Sequence, residues 1–99
     1  MRLVLRRAAK RDLAEARRWY DERRAGLGKE FLSCVEATLS ILRNHPYMFP
    51  RVDPRVRRAT VERFPYGIFY SIDGETVRVL AVLHNARGAH GWKSRVEDP

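Results

Sequence analysis

The 99-residue chain, 44% hydrophobic, is long enough for one domain that buries roughly two-thirds of its unfolded surface, and it leaves little room for a second lobe. Lys and Arg number 20 against 12 Asp and Glu, a formal charge of +8 carried mainly by Arg, whose planar fork suits carboxylate or phosphate partners or simply a soluble basic surface. One cysteine, Cys34, excludes an internal disulfide and makes a reducing cytoplasm the simplest compartment; no apolar run approaches the roughly 20 residues of a membrane span, and the charged start is not backed by a secretory apolar core.

Met1 to Arg6 alternates around Leu3 and Leu5 and predicts a short first strand. From Ala8 to Arg24 the period becomes helical, with Ala9, Leu13, Ala16 and Tyr20 on one stripe and Arg11, Glu15, Arg18 and Glu22 on a solvated opposite face. Gly26, within Ala25-Gly26-Leu27-Gly28, is a natural left-handed stop. A second helix runs from about Lys29 to Asn44 on an apolar face of Phe31, Val35, Leu39 and Leu42, flanked by Leu32 and Ile41. So short a connection predicts a helical hairpin that must cover something apolar.

Pro46, Pro50 and Pro54 then keep the chain irregular until a strand begins near Arg55. Pro65 separates a strand through Arg63 from one beginning at Tyr66, and Asp73-Gly74 predicts a tight hairpin into Val77 to Leu83, apolar enough for a central strand covered on both faces. The fold class is therefore α+β: an N-terminal strand, an α-helical hairpin, then a three-stranded antiparallel β-meander packed against the helices. One sheet face belongs to the hairpin, and the other is left for a partner.

The six glycines are dispersed, and none forms a phosphate loop or a dinucleotide fingerprint. His45, His84, His90 and Cys34 lack the spacing of a zinc site, so neither metal nor cofactor is expected, and Cys34, mid-helix, reads as a small packed hydrophobe. The remaining constellation is Arg57, Arg58, Arg63, His84, Arg87, His90, Lys93 and Arg95, interleaved with Tyr66, Tyr70 and Trp92. Strand alternation puts Arg57 and Arg63 on one face and Arg58 on the other. An imidazole at His84 can take a proton from a ribose 2′-hydroxyl while Arg87 and Arg63 stabilise phosphorane charge, which would make a metal-free ribonuclease. Equally, His84 and Trp92 can close the sheet while Arg87 pairs with a carboxylate. Tyr66, Phe69 and Tyr70 read as sheet and core residues rather than base-stacking platforms.

The order of strand, helical hairpin, His-Pro loop, Arg63-Phe64-Pro65-Tyr66-Gly67-Ile68-Phe69-Tyr70, Val79-Leu80-Ala81-Val82-Leu83-His84 and Arg87 resembles the RelE/ParE toxin superfamily of bacterial type II toxin–antitoxin systems over nearly the whole chain. Ala9-Lys10-Arg11-Asp12-Leu13 is similar to the start of the family's first helix. The resemblance implies a growth-arresting cytoplasmic toxin and an acidic or amphipathic antitoxin segment that folds across it. Contacts to target or antitoxin would fall on Arg57, Arg58, Arg63, Tyr66, His84, Arg87, Trp92, Lys93 and Arg95. The mRNA-cleaving, ribosome-dependent branch carries Arg where this chain has Gly67. His84, Arg87, Trp92 and Arg95 are similar to the ParE-like tail, with Gly88-Ala89 where those members often have Pro. The ParE-like branch implies inhibition of DNA gyrase by protein contact. Its alternatives are a ribosome-dependent mRNA endoribonuclease and a non-toxic basic interaction module.

Overall fold

In the computed structural model, which describes residues 1–87 and 91–96, the opening alternation becomes strand β1 (Arg2–Leu5). Helix α1 (Arg7–Arg23) buries Ala9, Asp12, Ala16 and Tyr20, so a carboxylate joins the apolar row that the helical period marks out. Arg24 is extended, Gly26 turns left-handed at φ 87°, and α2 (Leu27–Asn44) begins at once. Its buried side is Gly28, Phe31, Val35, Thr38 and Leu42. The two helices meet closely at Gly28, where a Cβ would stand 2.6 Å from the Arg17 carbonyl oxygen. No helix among the described residues is long and apolar enough to cross a membrane.

The expected meander forms the middle of the sheet as β3 (Val56–Thr60), β4 (Tyr66–Asp73) and β5 (Thr76–His84), but the sheet is wider than three strands. A short β2 (Arg51–Asp53) adds to one side and β1 to the other, giving five strands in the order β1-β5-β4-β3-β2. β1 runs parallel to β5, and the remaining pairs are antiparallel. Asp73 pairs with Thr76, so the hairpin loop is Gly74-Glu75, with Gly74 at φ 61°. The strand expected to reach Arg63 stops at Thr60, and Arg63 sits in the following loop at φ 71°, where strand alternation assigns it no face.

A register shift in the middle of β5 changes which side chains face the helices. Phe69 pairs with Ala81 and Tyr70 with Val79, which leaves Leu80 as an extra, bulged residue. Val77, Val79 and Val82 consequently join the helix-side core with Phe31, Val35 and Tyr70. Leu80, Ala81 and Leu83 join a second cluster on the opposite face with Val56, Phe69 and Trp92. There the Trp92 indole stacks on Phe69, centroids 6.0 Å apart, and the short α3 (Lys93–Val96) follows. The sheet face that the sequence left for a partner is thus partly covered by the chain's own C-terminal segment. Burying a side chain such as Phe69 beneath that segment contributes about 1.5–3 kcal/mol.

Candidate functional site

Strand β1 pairs with β5 only as far as Leu5 and Val79, so from Leu80 onward that side of β5 has no neighbouring strand among the described residues. Two side chains stand in for one. The Asp12 carboxylate accepts the Val82 backbone N–H at 2.9 Å, and Arg95 Nη1 donates to the Leu80 carbonyl at 3.2 Å. Arg95 also grips Asp12 bidentately, Nη2 to Oδ1 at 3.0 Å and Nη1 to Oδ2. Donating to the Asp12 carboxylate raises the pKa of the Arg95 guanidinium further. Charge is thereby matched where both groups leave water, and the strand edge is satisfied.

Beyond this pair a hollow of about 470 Å³ opens between α1 and the end of β5. Ala16, Tyr20, Pro65 and Val82 give it apolar walls, while Glu15, Trp19, Tyr66, His84 and Arg87 supply its functional groups. Trp19 is 48% exposed, with the Arg23 guanidinium 3.6 Å above its ring. The Tyr66 ring meets His84 edge-on at 5.4 Å, and burial pushes the Tyr66 phenol above its ordinary pKa. His84 is fixed by the turn that ends β5: its carbonyl accepts the Arg87 N–H at 2.8 Å, and its Nδ1 accepts the Ala86 N–H at 3.0 Å. With that lone pair occupied, the neutral ring carries its proton on Nε2 and offers the hollow a donor. Among the described residues, no three His, Cys, Asp or Glu side chains gather as metal ligands.

Over residues 3–88 the chain matches the family described as the ParE toxin of the type II toxin-antitoxin system, parDE. It belongs to the ParE toxin family. A solved structure described as the chromosomal ParDE TA system from P. aeruginosa has the same fold, with a TM-score of 0.74 at 22% identity over 85% of this chain and 95% of that one. No curated protein matches. The ParE match takes in both walls of the hollow and ends before α3.

Of the nine contact residues suggested by the sequence of this ParE toxin, the hollow gathers Tyr66, His84 and Arg87. Arg57 lies further along the sheet, its Nη1 donating to the carbonyls of Tyr47 at 3.1 Å and Phe49 at 2.6 Å. Arg58 is on the other face, as alternation predicts: Arg57 pairs with Tyr70 and Arg58 with Phe69, whose rings belong to opposite clusters. The Arg58 side chain crosses Gly67 to reach Asn85 Oδ1 at 2.6 Å, and a Cβ on Gly67 would meet Arg58 Nε at 2.7 Å. A neighbouring strand's Arg therefore fills the space above Gly67. Arg63 donates to Glu30 at 3.2 Å, which holds that carboxyl below its ordinary pKa. Trp92 and Arg95 are engaged within the fold, Lys93 is exposed on α3, and His90 lies outside the described residues.

Sequence reasoning missed Asp12 and Trp19 and took Glu15 for part of a solvated face. A signal existed for the first: Asp12 lies between Ala9 and Ala16 on the buried side of the helix, where a carboxylate needs a partner. A large indole on an otherwise charged face was the corresponding signal for Trp19.

Proposed function

We propose that this toxin acts in the cytoplasm by binding a target protein, DNA gyrase, and that a cognate antitoxin segment neutralises it. The observation that carries a binding role is the Ala86 N–H bond to His84 Nδ1. A general base must present a lone pair to the ribose hydroxyl, and the remaining nitrogen of this ring presents a proton instead. The residues proposed for RNA cleavage are also dispersed, since Arg63 is paired with Glu30 while His84 and Arg87 line the hollow. What the hollow does offer is an exposed Trp, an Arg without an ion-pair partner among the described residues and a partly buried Tyr, the side chains that dominate protein–protein contacts.

Induction in cells, with and without the neighbouring gene product, tests for arrest and its relief. Gyrase supercoiling and primer extension on translated mRNA then separate the targets. Loss of supercoiling, with growth arrest that largely survives His84→Ala but falls on Trp19→Ala with Arg87→Glu, is the expected result. Untouched supercoiling at large toxin excess together with codon-aligned mRNA cuts would overturn it.

A further inference from the structure

We propose that the outer edge of β2, with the loop of residues 45–50 beside it, is a docking surface for an extended, acidic segment of a partner protein. β2 is the last strand in the sheet order, so its outer side carries no strand among the described residues. The Pro50 carbonyl accepts the Arg58 N–H at 3.0 Å, and in an antiparallel ladder the next residue, Arg51, then directs its own N–H and C=O outward. Beside this edge stand the two most exposed large apolar side chains of the described residues, Tyr47 at 65% and Met48 at 60%, with Val52 at 41%.

Their exposure is held in place rather than left to a loose loop. Arg57 ties the Tyr47 and Phe49 carbonyls, and the buried Tyr70 hydroxyl donates to the Pro46 carbonyl at 2.7 Å. A surface fixed before binding loses little freedom when a segment settles on it. The adjoining hollow, about 410 Å³, brings together Arg51, Arg55 and Arg57 against Asp73, already bonded to Arg78 at 3.2 Å, and the other nearby carboxylate, Asp53 on β2 itself, accepts the Arg55 backbone N–H at 3.0 Å. The unbalanced charge selects carboxylates in the occupant. A second copy of this chain is disfavoured, because a two-fold contact there would bring the Arg51, Arg55 and Arg57 cluster of one copy up to that of the other. Open backbone groups and the aliphatic Met48 and Val52 suit a peptide strand better than a sugar-phosphate chain. The site lies across the sheet from the open end of β5, so both can be occupied together, and nothing in it depends on gyrase being the target.

The test is a titration of the isotope-labelled full chain, followed by amide NMR, with an acetylated octapeptide alternating glutamate and valine. Shifts centred on residues 47–57 and a dissociation constant below about 1 mM are expected. On the same wild-type protein, a lysine–valine octapeptide should bind at least about tenfold more weakly, which reads the charge rule without any substitution. Arg51→Glu with Arg55→Glu should weaken the acidic peptide by a similar factor while leaving the remaining amides in place. Equal binding of both peptides, shifts centred on Trp19, Tyr66 and His84, tighter binding of oligouridine at the same amides, or self-association through them would each overturn the assignment.

Discussion

Asp12 holds four things at once: the Val82 N–H, both terminal nitrogens of Arg95 and, through Arg95, the position of the C-terminal segment. Removing it leaves a partly buried guanidinium without its counter-charge and an edge N–H without an acceptor. Breaking one side of such a pair typically costs about 3–5 kcal/mol, and Asp12→Ala is expected to lose that much in urea unfolding. Asp12→Asn keeps an acceptor for Val82 and should lose less; equal and small losses for both would show the pair to be marginal. The pair was only half legible in the sequence. Helical period places Asp12 on the buried side, but its partner lies 83 residues away, and no local pattern links the two. Arg63 was misplaced for a related reason, because its positive φ belongs to the Val61–Pro65 connection rather than to a continuing strand.

Between elements, the tightest approach is Gly28 on α2 against the Arg17 carbonyl on α1, where an added Cβ would stand at 2.6 Å. A backbone oxygen cannot swing aside as a side chain can, so Gly28→Ala must separate the helices or strain the hydrogen bond from the Gly28 N–H to Asp21 Oδ1, now 2.8 Å. Overpacking of this kind costs about 1–3 kcal/mol, more than the gain of up to about 1 kcal/mol from alanine's helix propensity. The variant should therefore unfold at lower urea, and a rise in midpoint would show that the hairpin has slack. Both helices and the β4–β5 hairpin were legible because a 3.6-residue period and an Asp-Gly turn are local signals. β2 was not: three residues between Pro50 and Pro54 carry no period. The bulge at Leu80 was equally hidden, since in the apolar run from Val79 to Leu83 nothing marks the extra residue that sends Ala81 to the far face and Val82 to the helices.

For the molecule as a whole, burial raises the phenol pKa of Tyr20, Tyr66 and Tyr70 above the ordinary 10.0. Between that value and the folded values, the unfolded chain has lost protons that the native protein keeps. Stability is therefore complete below pH 10 and declines as pH rises through the folded values. Most of the positive charge is Arg, which stays protonated there, so relief of self-repulsion offsets little of the loss. Melting temperatures followed from about pH 8 to about 11 should fall on the alkaline side together with tyrosinate absorbance; a flat profile would mean that the phenols ionise in place. The parallel pairing of β1 with β5 has a different consequence, one of timing. Arg2 meets Thr76, and Asp12 meets Arg95, across almost the full sequence, so the first strand made is among the last to find its neighbour. Non-local closures of this kind are slow and late in folding. During synthesis the helical hairpin can form early, whereas the hollow that carries Tyr66, His84 and Arg87, the binding surface on the proposed reading, takes shape only when the second half of the chain has emerged.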